Sequence, residues 1–136
     1  MNIFLDSSVV LAASLSATGA SRQVFDFATR QRWRLLVSPW VLREVRDNLL
    51  NKPPGASSAW AALRGRVIVE GDELTFDWPL NFDVTKDKPV LITALACADV
   101  LLTLDRRDFR ALIDQTVYGL RVLTPGEFLR IERETE

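Results

Sequence analysis

The sequence predicts a three-layer α/β/α domain with a central, mainly parallel sheet of about five strands. Short apolar segments alternate along the chain with longer segments whose apolar residues recur at helical spacing. Because parallel strands need long crossover connections, this alternation is typical of a parallel sheet covered by helices on both faces. A length of 136 residues fits one core, and we expect residues 1–136 to form a single domain.

Three strands and four helices are expected in the first half of the chain. Asp6, Ser7 and Ser8 follow an apolar run and precede a helical stretch, so they offer N-cap side chains. Serine followed by proline at residues 38–39 predicts another helix start, because proline fits the first helical turn. The expected order is a strand at 3–5, helices at 9–15 and from residue 21, a strand at 33–37, helices at 38–49 and 57–63, and a strand at 66–69.

The second half opens with an irregular acidic stretch over residues 71–82. Pro89 lies just inside the next expected helix, which runs to residue 96. An apolar run at 100–104 predicts a buried strand that ends in Asp105. The remaining expected elements are a helix at 107–113, a strand at 120–123 and a final helix that starts at Thr124-Pro125.

Histidine is absent from the chain, which excludes imidazole bases, Ser-His-Asp and Cys-His arrangements, and zinc sites built on histidine. The single cysteine, Cys97, lies in an apolar run, and we expect a buried, reduced thiol. No basic-then-apolar start is present, and no apolar run approaches the roughly 20 residues that span a bilayer. We therefore expect a cytoplasmic protein without a membrane partner.

Arginine makes up 14 of the 17 basic residues, although the formal net charge is only −1. Any binding of nucleic acid must therefore be local. Arginine suits bidentate contacts to phosphate, but an arginine-rich composition is also produced by genome composition alone. Arg43, Arg46, Arg106 and Arg107 lie near the acids considered next, and each either grips a nucleic-acid backbone or pairs with a neighbouring acid.

Five acids are candidates for one site. Asp6 and Asp105 each follow an apolar strand, and ligands of open α/β sheets bind beyond the carboxyl ends of strands, where strand order reverses. If these two strands are neighbours, both side chains share one crevice; the alternative is that each aspartate only caps a helix. Glu44 lies at the edge of the apolar face of its helix, Asp87 precedes a helix start, and Asp108 is a ligand or a first-turn acid.

These acids lie in segments that resemble the PIN domain family of metal-dependent ribonucleases across nearly the whole chain. The matching segments are Ile-Phe-Leu-Asp-Ser-Ser-Val at 3–9, Ser-Pro-Trp-Val-Leu-Arg-Glu at 38–44, Lys-Asp-Lys-Pro-Val-Leu at 86–91 and Ala-Asp-Val-Leu-Leu-Thr-Leu-Asp-Arg-Arg-Asp-Phe at 98–109. The segment Leu-Thr-Pro-Gly-Glu-Phe-Leu at 123–129 is similar to a bacterial and archaeal branch whose members are often described as toxin components of toxin–antitoxin pairs.

The resemblance implies a metal-dependent endoribonuclease with Mg²⁺ or Mn²⁺ as cofactor, RNA as substrate, an antitoxin partner and a homodimer. The implied metal-site residues are Asp6, Glu44, Asp87 and Asp105, with Asp108 as a fifth acid. The acidic stretch before Asp87 matches no motif of the family, so Asp83 is only a weak substitute candidate. Thr103 and Ser8 become supporting hydroxyls, with Ser8 in place of an asparagine found in some members; Ser8 taken alone is better explained as an N-cap.

Two other classes of function compete with this interpretation. A catalytically inactive PIN-like module would bind RNA or protein, although all four main acid positions are retained. Phosphoryl-transfer domains with an acidic crevice would require either a second acid two residues after Asp6 or a lysine that ends the fifth strand. The chain has Ser8 at the first position and no lysine at the second. Four converging carboxylates repel one another, and a divalent cation with hard oxygen ligands relieves that repulsion.

Overall fold

The chain folds around a mainly parallel sheet, and the computed structural model describes residues 1–77, 79 and 88–135. The described strands are β1 (Asn2–Leu5), β2 (Arg34–Val37), β3 (Val67–Val69), β4 (Val100–Leu102), β5 (Gln115–Val117) and β6 (Leu120–Leu123). The described helices are α1 (Ser7–Leu15), α2 (Ala20–Gln31), α3 (Pro39–Leu49), α4 (Pro54–Leu63), α5 (Lys88–Cys97) and α6 (Pro125–Glu134), with a short 3₁₀ turn at Arg64–Arg66.

The strand order is β3-β2-β1-β4-β6-β5, and all pairs are parallel except β5 with β6. The chain builds outward from β1 to β2 and β3, and then returns to the opposite side of β1 to form β4. Leu5 of β1 lies opposite Leu102 of β4. The strand order therefore reverses between β1 and β4, which is where open α/β sheets form their ligand crevice.

Both faces of the sheet are covered, because successive residues of the central strands are buried. Ile3, Phe4 and Leu5 are all fully buried in β1, as are the three residues of β4. The buried apolar side chains of strands and helices form one continuous core cluster. The predicted α/β/α class is thus confirmed, with six strands in the described part of the chain rather than about five. None of the described helices is both long and apolar enough to cross a bilayer.

Helices α3 and α6 begin where the sequence predicts, whereas α1 begins at Ser7, two residues before the predicted start. Ser38 Oγ accepts a hydrogen bond from the Val41 N–H at 3.4 Å, and Pro39 occupies the first turn of α3. Thr124 Oγ1 accepts the Glu127 N–H at 3.3 Å at the start of α6. Such caps satisfy backbone donors that a helix end leaves free. In the first half of the chain, the largest difference between a predicted and an observed boundary is at α4, which begins at Pro54 rather than at residue 57.

The segment between β4 and β6 differs from the prediction. Residues 106–114 form a series of turns, so the predicted helix at 107–113 is wrong. Asp105 Oδ1 accepts the N–H groups of Arg107 and Asp108 at 3.1 and 2.9 Å, and Asp114 ends the segment at a φ of 69°. The side chain of Asp105 thus competes with the regular backbone pattern.

Strand β5 was not predicted from the sequence. It forms a hairpin with β6 across Tyr118 and Gly119, whose φ values are 49° and 85°. Positive φ at both central residues is the conformation of the two-residue turns that match the twist of a hairpin. A short, polar edge strand gives little apolar signal, and the glycine before Leu120 was the available clue.

Gly119→Ala should lower the free energy of unfolding by about 1 kcal/mol, because an L side chain at this φ is strained although no heavy atom lies within 4 Å of an added Cβ. Gly126→Ala, within α6 and equally open, is the matched control and should leave stability unchanged or raise it by up to about 1 kcal/mol. Urea unfolding followed by tryptophan fluorescence measures both. Equal losses in the two variants would contradict a backbone origin.

Candidate metal site at the carboxyl edge of the sheet

A row of polar side chains closes the carboxyl ends of the parallel strands. Continued past the ends of the strands, the register sets Asp6 beside Thr103, which follows β4, and beside Ser38, which follows β2. The ladder of backbone hydrogen bonds continues into this row, from Asp6 N–H to Leu102 O at 3.0 Å and from Thr103 N–H to Leu123 O at 3.0 Å. From β3 to β6 the row is Glu70, Ser38, Asp6, Thr103 and Thr124. Asp6 is at its centre.

Asp6 is the most constrained of these side chains, with 3 % of its surface exposed. Its Oδ1 accepts the Ser7 N–H at 2.9 Å and thereby caps α1. Its Oδ2 accepts the Ser8 hydroxyl at 3.0 Å and the Thr103 hydroxyl at 2.8 Å. The N-cap of α1 is therefore Asp6, and Ser8 instead supports the carboxylate.

The same two hydroxyls join Asp6 to the loop that carries Asp105. Thr103 Oγ1 accepts the Asp105 N–H at 3.0 Å, and Ser8 Oγ accepts the Leu104 N–H at 3.0 Å. Each hydroxyl thus donates to one acid and accepts from the backbone beside the other, which fixes both in relative position. Asp105 is half-buried, and no described residue donates a hydrogen bond to its Oδ2.

Burial raises the pKa of the Asp6 carboxyl above its usual range, and the negative charge of Asp105 raises it further. The hydrogen bonds from Thr103, Ser8 and Ser7 act in the opposite direction but do not cancel the effect of burial. A carboxylate held this way is stabilised by a nearby positive charge. A cation bound at the carboxyl edge would therefore offset the repulsion between the two acids.

The remaining candidate acids are placed differently. Glu44, on α3, is half-buried and its Oε1 is fully enclosed. Asp108 is half-buried in the turn after Asp105. Asp87 and Asp83 lie outside the described residues. Among residues 1–77, 79 and 88–135, no group of three or more acids or cysteines is positioned to hold a metal ion. The described part of the site is thus the pair Asp6 and Asp105.

This pair fits a hard divalent cation. Magnesium is usually bound through one or two carboxylates, keeps several waters and accepts phosphate oxygens as further ligands. Asp105 offers Oδ2, and Asp6 Oδ1 has a lone pair left after its single hydrogen bond. Zinc would favour nitrogen or sulfur ligands, and the chain contains no histidine.

The surroundings of Cys97 disfavour the thiolate, which is the form that binds metals or acts as a nucleophile. The prediction of a buried thiol is met only in part, because the side chain is half-buried. Burial, together with the carboxylates of Glu70 and Glu73, raises the pKa of the thiol to about 11. The reactive thiolate is therefore scarce at neutral pH.

Comparison with models of known families shows which family the chain belongs to. A family model described as PIN domain matches residues 2–107. The chain belongs to the PIN domain family. PIN domains are generally nucleases and usually depend on divalent metals. The matched region includes Asp6, Glu44, Asp105 and both supporting hydroxyls.

The PIN fold also relates the chain to solved structures. One similar chain comes from the crystal structure of VapBC2 from Rickettsia felis bound to a DNA fragment from the promoter. The TM-score is 0.62 at 12% identity, over 90% of this chain and 97% of that one, so the likeness concerns the fold. No curated protein sequence matches this PIN domain significantly.

Asp6→Asn should raise the free energy of unfolding of the metal-free protein at pH 7. Because the folded-state pKa of Asp6 lies above the usual 3.8, its charge destabilises the fold increasingly as the pH rises from about 3.8 through that raised value. Below 3.8 the penalty is absent, so the gain should vanish near pH 3. Urea unfolding with a chelator, from pH 3 to 8, measures it.

Asp47→Asn is the control for this measurement, since Asp47 is exposed and its one ion pair within the described part of the chain is with exposed Arg46. It should change stability little at any pH. A loss of stability in Asp6→Asn at pH 7 would show that the hydrogen bonds of Asp6 outweigh its burial.

Proposed function

We propose that this PIN domain is a metal-dependent endoribonuclease that hydrolyses RNA phosphodiester bonds at the carboxyl edge of its sheet. The observation that carries the proposal is the coupling of Asp6 and Asp105 through the hydroxyls of Ser8 and Thr103 at the strand-order reversal. If Asp6 served only as the N-cap of α1, the hydroxyls of Ser8 and Thr103 would not need to hold Asp105 in place as well. Membership in a family of nucleases supports the reaction class.

In this proposal Asp6 and Asp105 hold Mg²⁺ or Mn²⁺, with Glu44, Asp87 and Asp108 as further ligands. When bound, the ion supplies a water of lowered pKa, polarises the phosphoryl group and stabilises the leaving oxygen. Ser8 and Thr103 keep Asp6 pointing toward Asp105 by donating to its Oδ2. Enclosure of Asp6 keeps bulk water from one side of the pair. The chain needs no imidazole for any of these roles.

We also propose that the enzyme acts as the toxin of a toxin–antitoxin pair, as a cytoplasmic homodimer. The fold shared with a chain of VapBC2 supports this context. Induced expression of the wild type in a bacterial host should arrest growth, whereas Asp105→Asn should not, with equal protein levels checked by immunoblot. Growth arrest by both proteins would assign the effect to something other than cleavage.

The proposed homodimer is tested separately, by light scattering after size-exclusion chromatography. A monomer at micromolar concentration would rule it out.

Asp6→Asn and Asp105→Asn should each lower the rate of RNA cleavage by at least about a hundredfold, because each removes a charged ligand of the ion. Wild-type protein should cut a mixed RNA pool with Mg²⁺ or Mn²⁺ and stop when a chelator is added. Initial rates from a labelled RNA, resolved on denaturing gels, provide the comparison.

Asp47→Asn serves as the matched control, because it removes an aspartate charge from an exposed position of α3. It should cut at close to the wild-type rate. If the wild type neither cuts RNA nor binds Mn²⁺ by calorimetry, the nuclease proposal fails and the chain is an inactive RNA- or protein-binding module.

A further inference from the structure

Beside the acidic edge, the surface of α3 and α4 forms an arginine-lined groove of about 440 Å³. Its walls and floor are Pro39, Leu42, Arg43, Arg46, Trp60 and Arg64. Arg43 and Arg46 are three residues apart on α3, and Trp60 and Arg64 are four apart on and just beyond α4, so each pair lies on one face. Two helices therefore turn basic side chains and one indole toward the same space.

The charges of this groove are largely available to a ligand. Neither Arg43 nor Arg64 forms an ion pair with a described residue, and Arg46 meets only Asp47, at 3.4 Å with both side chains mostly exposed. Outside the groove, three of the eleven other arginines pair with an acid among the described residues: Arg66 with Asp26, Arg121 with Glu132 and Arg130 with Glu127. The free charges therefore do not by themselves distinguish the groove; their convergence on one space with Trp60 does. Exposed ion pairs such as that of Arg46 are weak and easily exchanged.

The groove begins at the candidate site. Pro39 directly follows Ser38, which is the neighbour of Asp6 in the polar row, and adjacent strands lie about 4.8 Å apart. One end of the groove therefore lies close to the carboxyl edge of the sheet, and a polymer that extends past Pro39 would reach it.

The aromatic side chains indicate which polymer fits. Trp60 is half-buried, with its ring packed on the core and part of it facing the groove. The Arg43 guanidinium lies 6.0 Å from the ring centre of Trp40, which holds the arginine against the helix. Guanidinium groups bind phosphate through paired hydrogen bonds, and an exposed indole stacks on a base only when that base is unpaired.

We propose that this groove binds the backbone of single-stranded RNA, with Arg43, Arg46 and Arg64 on phosphates and Trp60 against a base. The assignment rests on the proposed ribonuclease function and adds the path by which substrate reaches the acids. The groove supplies local positive charge of the kind that a chain of net charge −1 needs in order to hold a polyanion.

The test compares Arg43→Gln/Arg64→Gln with Arg30→Gln/Arg133→Gln, which removes two equally exposed charges from α2 and α6. A fluorescent 12-nucleotide RNA is titrated in chelator, so that binding is measured without cleavage. The groove variant should bind at least about tenfold more weakly, and its salt slope should fall by about 1.4, or roughly 0.7 for each lost phosphate contact. The control variant should stay within about twofold of wild type.

Three results would overturn the groove assignment. The first is equal weakening in the two double variants, which would leave only net charge as the cause. The second is tighter binding of the same RNA once annealed to its complement. The third is a groove variant that binds RNA normally but no longer binds a hexaglutamate peptide, which would assign the groove to an acidic protein partner.

The outcome separates this assignment from the proposed function. A protein that binds RNA through the groove but never cuts it with Mg²⁺ or Mn²⁺ supports the groove and removes the nuclease. A protein whose groove variant binds and cuts as well as wild type keeps the nuclease and removes the groove. Urea unfolding of all variants verifies that each is folded in the binding assay.

Discussion

The position of β1, in parallel register with β2 on one side and β4 on the other, is the constraint on which the site depends. It sets the residue after Leu5 beside the residue after Leu102, although the two are far apart in the chain. Parallel pairing puts all carboxyl ends at one edge, so a single polar residue after each strand is enough to build a continuous row. The hydroxyl of Thr103 meets Asp6 because of this register. Without it, each acid would keep only its local hydrogen bonds, Asp6 to Ser7 and Ser8 and Asp105 to the turn that follows it, and the two would not be joined.

Sequence patterns predicted most of the elements, because their signals are local. Ser38-Pro39 and Thr124-Pro125 mark helix starts through capping and proline geometry, and buried parallel strands appear as unbroken apolar runs. The adjacency of β1 and β4 was beyond such signals, since no short-range pattern records which strands pair. Strand β5 was missed because it is short, polar and at an edge. The turns after Asp105 were read as a helix because the pattern could not show its side chain taking two backbone N–H groups.

Part of the candidate site could likewise be predicted from the sequence, and part could not. That Asp6 follows an apolar strand is visible in the sequence, whereas the predicted strand at 100–104 ends at Leu102, so that Asp105 lies in the loop three residues beyond it. The family resemblance supplied the predicted roles of both acids and those of Glu44, Asp87 and Asp108. The reciprocal bonds of Ser8 and Thr103 needed coordinates, because a hydroxyl that donates to one acid and accepts from the backbone of another is a tertiary feature. The Asp6 carboxylate that caps α1 is also the one proposed to bind the metal ion, so the groups that make the fold are not separable from those that would do the chemistry.

The pairing of β4 with β6 bears on how the chain can be divided for laboratory use. The PIN domain match ends at residue 107, yet the Thr103 N–H is bonded to Leu123 O, and Phe128 of α6 packs edge-on against Trp33 with ring centres 5.0 Å apart. An expression fragment cut at the family boundary would leave β4 as a bare, fully apolar edge, a form prone to aggregation. The stretch by which the family is recognised is therefore shorter than the stretch that keeps its acids in place.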